Sequence, residues 1–185
     1  MHYGMAIDLK LCFGCTACAV ACKSNNNLPN GMWWNRVITD GGAHADTARG
    51  TYPNVVMTHY PVSCQHCDKP SCAAVCPTGA TYRDEETGIV VQNTEECIGC
   101  GSCVKACPYE VRTLNAEEPA YAVDFPLGDA DAPQHQAGTV EKCTFCKNLI
   151  DRGDVPACMQ LCPGRARYWG DLDDPESDVS KAIEG

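Results

Sequence analysis

Large aromatic side chains are scarce in this 185-residue chain, which has three phenylalanines, three tryptophans and seven tyrosines. So few large apolar groups leave a side-chain core short of the material that usually drives folding. Basic residues are outnumbered, fourteen against twenty-four acidic ones, for a formal net charge of −10. An acidic chain without a Lys/Arg cluster excludes nucleic acid as a partner. No apolar run of about 18 residues occurs, which predicts no direct membrane insertion. The opening Met1-His2-Tyr3-Gly4-Met5-Ala6-Ile7-Asp8 lacks the basic segment and apolar stretch of an export signal. The expected compartment is therefore the cytoplasm, with export in the company of a signal-bearing partner as the other route. A reducing compartment argues against a disulfide framework. No Ser/His/Asp set, catalytic carboxylate pair, phosphate-binding glycine loop or dinucleotide fingerprint stands out, so no catalytic residue is expected and the chain reads as no enzyme on its own.

What the chain does have is cysteine, sixteen of them in four groups of four with none left over. The groups are Cys12, Cys15, Cys18, Cys22; Cys64, Cys67, Cys72, Cys76; Cys97, Cys100, Cys103, Cys107; and Cys143, Cys146, Cys158, Cys162. Proline follows the last three groups, as Pro77, Pro108 and Pro163, whereas Lys23 follows the first. Groups one and three read C-x2-C-x2-C-x3-C, the bacterial ferredoxin run. Three cysteines so close together let one loop offer thiolates to three corners of a cubane. The fourth, on a helical turn leading away, points at a different cluster. Gly14, Gly99 and Gly101 permit close backbone approach, so that N–H groups reach the sulfurs and tune the potential. Groups two and four keep the leading C-x2-C and the closing C-x3-C-P around a longer gap. Zinc, which wants two separated pairs in a tetrahedron, suits this spacing poorly. All sixteen cysteines are thus candidate iron ligands in four [4Fe–4S] clusters, and bound metal supplies the folding free energy that the sparse core lacks.

Between the groups, Tyr3–Ile7 reads as a strand, and Thr81-Tyr82 with Ile89-Val90-Val91 as strand, turn, strand. Val55 to Val62 reads as a further strand, 115–140 as a surface loop and Ser177 to Ile183 as a short helix. His2, His44, His59, His66 and His135 are expected to be non-ligands, since no cysteine position needs replacing, and His66 is expected at the surface. Lys10, Lys23, Lys105, Lys142 and Lys147 lie within two residues of a cysteine ligand. They are expected to be ordinary solvated lysines, the competing reading being that some raise a neighbouring cluster's potential. Trp33 and Trp34 cannot both face one core, so one is expected at a partner surface.

The order of the groups, with the second and fourth stretched, resembles the four-cluster iron–sulfur subunits of molybdenum and tungsten bis-pterin oxidoreductases, the dimethyl sulfoxide reductase family. Gly4-Met5-Ala6-Ile7-Asp8, Cys97-Ile98-Gly99-Cys100, Glu141-Lys142-Cys143-Thr144-Phe145-Cys146 and Gly170-Asp171-Leu172-Asp173-Asp174-Pro175 carry the likeness, which runs over nearly the whole chain. The wording is nearest to arsenate-reductase-like and catechol-dehydroxylase-like small subunits. The resemblance implies an α+β fold of two nested ferredoxin-like halves with short strands, short helices and long connecting loops. The outer half would be 1–50 plus 141–185, the inner 51–114, with 115–140 connecting them. It also implies ligand exchange, giving four sets: Cys12, Cys15, Cys18 and Cys162; Cys22, Cys143, Cys146 and Cys158; Cys64, Cys67, Cys72 and Cys107; Cys76, Cys97, Cys100 and Cys103. The implied function is electron transfer in anaerobic respiration, between a second redox partner (a soluble donor or a separate membrane subunit) and a large catalytic subunit. That subunit, and not this chain, would hold the molybdenum or tungsten cofactor, and the outer half would face it. Some relatives run on into a membrane anchor, and none is expected here because the chain stops at Gly185. A freestanding polyferredoxin and a zinc-stabilised interaction module are the competing readings.

Overall fold

The computed structural model describes residues 1–40 and 47–184, so His44 and Gly185, both invoked above, lie outside the described residues. In chain order the elements are strand β1 (Tyr3–Ile7), helix α1 (Ala17–Asn25), strands β2 (Arg36–Thr39), β3 (Arg49–Thr51), β4 (Asn54–Val56) and β5 (His59–Val62), then helix α2 (Ser71–Ala74). Strands β6 (Thr81–Arg83) and β7 (Val90–Gln92), helix α3 (Ser102–Ala106), and strands β8 (Thr113–Leu114) and β9 (Val140–Glu141) follow. Helices α4 (Lys147–Ile150) and α5 (Ala157–Gln160), strand β10 (Arg167–Asp171) and helix α6 (Asp178–Glu184) complete the order. Among the described residues the strands pair as five two-stranded antiparallel ribbons rather than one sheet.

Two of these ribbons position the cysteine groups. β6 leaves group two and β7 leads into group three, joined through the Asp84–Gly88 turn, where Thr87 and Glu86 donate to the Asp84 carboxylate. β1 leads into group one and β10 leaves group four, and these pair from Tyr3↔Asp171 to Ile7↔Arg167. The ends of the chain are thereby brought together across more than 160 residues of sequence. The helices that follow the metal loops pack in matching pairs, α1 on α5 and α2 on α3. The fold is built from ferredoxin-type segments with short helices and strands.

The strand expected over Val55 to Val62 is interrupted at Met57-Thr58. Its two pieces serve different partners, β4 with β3 and β5 with β2, so one continuous strand is ruled out. The loop 115–140 is closed at its base by β8 pairing with β9. The tail helix runs over Asp178–Glu184, one residue later than the expected span at each end, and packs on β10 and β1 through the fully buried Val179.

Among the described residues the apolar core is divided into three small clusters. The largest aromatic assembly runs Tyr3–Trp169–Phe145–His66, with ring centroids 5.0, 4.8 and 4.0 Å apart. It ties the β1–β10 ribbon to the loops of groups four and two. Trp34 is buried and stacks edge-on against His135, whereas Trp33 is exposed beneath the Lys23 ammonium. The adjacent tryptophans therefore face opposite ways, as expected.

Candidate metal centres

Each cysteine loop begins with the same backbone device. The residue just before the second cysteine has positive φ in all four groups: Gly14 (74°), His66 (43°), Gly99 (64°) and Phe145 (57°). This left-handed turn curls the C-x2-C segment so that its two thiols face one space, and it is natural for glycine. At His66 and Phe145 a bulky residue adopts it instead, at a local cost of about 1–2 kcal/mol. Those two rings stack face to face at 4.0 Å and 13°, an attraction that offsets part of that strain. A second left-handed residue, Thr16 or Gly101, then starts the helix carrying the third cysteine in groups one and three.

The thiols gather in sets that cross the groups. Cys12, Cys15, Cys18 and Cys162 line one small cavity. Cys22, Cys143, Cys146 and Cys158 line a second. Cys76, Cys97, Cys100 and Cys103 line a third. The remaining four are also neighbours: burial, then the nearby Cys64, Cys72 and Cys107, push the Cys67 thiol up. All sixteen cysteines are free of disulfides.

An iron–sulfur cubane fits these sets. The donors are four sulfurs per cavity. They stand around a space, and among the described residues no group of three His, Cys, Asp or Glu side chains gathers closely enough for a single metal ion. Backbone N–H groups point at ligand sulfurs from outside the cysteine runs: Thr81 to Cys76, Val140 to Cys97 and Ala166 to Cys162, each at 3.4 Å. Asn26 Nδ2 reaches Cys22 Sγ and Cys146 Sγ at 3.7 and 3.8 Å.

Burial differs between the sets. It pushes Cys143 up to about 12 and Cys146 and Cys158 to about 11, and raises Cys22 as well, with neighbouring thiols adding to the effect in each case. Thiols raised in this way would bind as thiolates only where a metal displaces their protons. Cys76 is opposite in sign: burial raises it, but hydrogen bonds from Thr81 and Thr78 outweigh that and bring it to about 7.

Three buried cations lie beside these sulfurs. Arg167 donates from one guanidinium nitrogen to Cys158 Sγ at 3.6 Å and Met5 Sδ at 3.2 Å, and it also lines the cavity of Cys12, Cys15, Cys18 and Cys162. Lys142, 1 % exposed, donates from Nζ to the carbonyls of Cys143 and Val90. Arg112 is buried and donates to Thr81 Oγ1 and Gln92, both of which line the cavity of Cys76 and Cys97. Of the lysines singled out in the sequence, only Lys142 is buried. Lys10, Lys105 and Lys147 are exposed, and Lys23 turns its ammonium to the carbonyls of Leu28, Pro29 and Met32. The two arginines were missed, although a signal exists: each stands five residues after the closing cysteine of its group, Cys107 and Cys162. His66 corrects the expectation of a surface histidine. It is 5 % exposed, because its ring is needed to cover Phe145 and its Nδ1 accepts the Val90 N–H at 3.1 Å.

Comparison with known proteins agrees with this geometry. A family model described as a 4Fe-4S dicluster domain matches residues 55–122 and 129–172, and one described as a 4Fe-4S binding domain matches residues 9–31. The chain is 40% identical to the arsenate respiratory reductase iron-sulfur subunit ArrB of Shewanella sp. strain ANA-3, over all of this chain (100%) and 88% of the relative. It is 46% identical to a Halobacterium salinarum protein assigned as an iron-sulfur subunit of dimethyl sulfoxide reductase, over 98% of this chain and 71% of the relative. It is 36% identical to a subunit of the sulfite dehydrogenase of Allochromatium vinosum, over 97% and 72% respectively. With cysteine-lined cavities and whole-chain similarity in agreement, the chain belongs to the iron–sulfur electron-transfer subunits of the dimethyl sulfoxide reductase family.

Proposed function

We propose that the chain holds four [4Fe–4S] clusters and relays single electrons between a redox partner and a separate catalytic subunit carrying a molybdenum or tungsten bis-pterin cofactor. The ligand sets are Cys12, Cys15, Cys18, Cys162; Cys22, Cys143, Cys146, Cys158; Cys64, Cys67, Cys72, Cys107; and Cys76, Cys97, Cys100, Cys103. The observation that carries this reading is that three of these sets each line a cavity of their own. Each cluster, when bound, takes up and passes on one electron.

The chain's own residues do the rest. The left-handed turns at Gly14, His66, Gly99 and Phe145 aim the thiols inward, and the amides of Thr81, Val140 and Ala166 soften the charge on the sulfurs. In this reading the clusters fall into two ferredoxin-like halves, 1–50 with 141–185 and 51–114, linked by 115–140, with the β2–β5 and β8–β9 ribbons joining one half to the other. In this reading the outer half faces the catalytic subunit and the inner half the second partner, a soluble donor or a separate membrane subunit. Among the described residues no helix is long and apolar enough to cross a membrane.

The test is anaerobic purification from the native host, with iron, molybdenum, tungsten and zinc measured on one sample. About sixteen iron atoms per chain, four for each of four clusters, with a large co-purifying subunit and near-stoichiometric molybdenum or tungsten, is the expected result. The same iron in a lone chain supports a freestanding polyferredoxin instead, and zinc in place of iron overturns the reading.

A further inference from the structure

Buried charge in this chain is expensive unless something of opposite sign faces it. Arg167 is 4 % exposed, and no carboxylate forms an ion pair with it among the described residues. One of its guanidinium nitrogens is buried without a hydrogen-bond partner. Its other contacts are sulfurs: Cys158 of one ligand set, Met5, and the cavity lined by Cys12, Cys15, Cys18 and Cys162. Lys142 is equally enclosed. Its ammonium donates to the carbonyl of Cys143, in one ligand set, and to the carbonyl of Val90, whose N–H donates to His66 between Cys64 and Cys67 of another. Arg167 and Lys142 thus each stand where two sulfur sets meet.

On the ligand assignment proposed above, we infer that Arg167 and Lys142 are bridging cations, each shared by two clusters and each raising the potential of both. Arg167 serves the cluster of Cys12, Cys15, Cys18 and Cys162 together with that of Cys22, Cys143, Cys146 and Cys158. Lys142 serves the latter cluster together with that of Cys64, Cys67, Cys72 and Cys107. An added electron makes a cluster more negative, and a fixed cation in a low-dielectric interior stabilises that state more than the oxidised one. Lys142 also joins the two halves of that assignment, since its ammonium bonds the carbonyl of Cys143 in one and of Val90 in the other. Both are positioning residues for electrostatics and ligate nothing.

The pattern of shifts tests the inference. The full chain, purified anaerobically with its clusters, is titrated electrochemically and followed by electron paramagnetic resonance, alongside Arg167→Gln, Arg167→Lys, Lys142→Met and Lys142→Arg. Iron is measured on every sample. Arg167→Gln should make two of the four clusters harder to reduce by at least about tenfold, which is 59 mV for a one-electron couple. Lys142→Met should do the same to two clusters, one of them shared with the Arg167→Gln pair. The charge-keeping Arg167→Lys and Lys142→Arg should return the potentials toward those of the unaltered chain. A merely structural role would shift the charge-keeping variants as much as the neutral ones and would overturn the inference. So would full iron with unmoved potentials in both neutral variants. If one neutral variant loses iron, the other pair decides. Iron well below about sixteen in the unaltered chain would instead count against the cluster assignment itself.

Discussion

The close packing of the 115–140 loop on group three can be measured by one substitution and its control. Gly99 lies at φ +64°, and a Cβ there would sit 2.3 Å from the Gly138 carbonyl oxygen. Gly101, two residues on at φ +71°, has open space where its Cβ would go. Both alanine variants meet the left-handed backbone penalty, about 1–2 kcal/mol each. Only Gly99→Ala must also displace backbone, which adds about 1–3 kcal/mol of the kind seen on overpacking. That displacement falls on a structural contact. Gly138 N–H donates to Asn115 O at 2.7 Å, and Val140 N–H donates to Cys97 Sγ at 3.4 Å. Gly99→Ala is therefore expected to lose about 2–5 kcal/mol and Gly101→Ala about 1–2 kcal/mol. Anaerobic urea unfolding, followed by cluster absorption and by iron per chain, reads both effects. Gly99→Ala should unfold at lower urea and lose iron first from the set of Cys76, Cys97, Cys100 and Cys103. Equal midpoints and equal iron in the two variants would refute the argument, because Gly138 would then be giving way at no cost.

Other outcomes follow from the packing and the charges. Trp169→Ala removes the ring between Tyr3 and Phe145 and should cost about 3–5 kcal/mol in the same unfolding assay; a loss under about 1 kcal/mol would show the aromatic stack to be incidental. Burial would lower His135, but its bonds to Glu141 at 2.6 Å and to Asn26 O at 2.8 Å outweigh that and raise it. A raised histidine stabilises the fold fully below its unfolded value, about 6.5, and the contribution fades as pH climbs through the folded value. His135→Gln should remove that falling limb from a stability–pH profile, and an unchanged slope would exclude the ion pair as its source. Lys147 is exposed and pairs with Asp151 at 2.7 Å. Lys147→Ala should change stability by less than about 0.5 kcal/mol and leave every cluster potential in place. A shifted potential would mean that surface lysines beside the ligands matter after all.

Legibility in the sequence followed the range of the interaction. The β1 strand, the β6–β7 hairpin and a helical turn after each metal loop were readable, because each is specified by residues a few positions apart. Of the closing cysteines expected on those turns, however, only Cys22 lies within its helix, while Cys76, Cys107 and Cys162 fall just past the ends of α2, α3 and α5. The run Val55 to Val62 misled because alternation records a wish for pairing without naming the partner, and here two different strands supply it. His66 misled because a histidine between two cysteines carries no sign of the ring that will cover it. Arg112 and Arg167 escaped notice because an arginine in sequence looks solvated until a fold encloses it.

By itself the sequence determined the chemistry. Sixteen cysteines in four groups, two of them at the ferredoxin spacing and all opening on C-x2-C, mark the chain for iron–sulfur binding, since the reach of a C-x2-C turn is a local property. Tertiary structure decided which thiols meet. Cys162 joins the loop of Cys12 because β10 pairs with β1 across the length of the chain, and Cys22 meets Cys143, Cys146 and Cys158 because α1 packs on α5. It also decided which cations are buried between the sulfur sets. Both follow from contacts among segments far apart in sequence, whose partners depend on how the whole chain closes rather than on anything written locally.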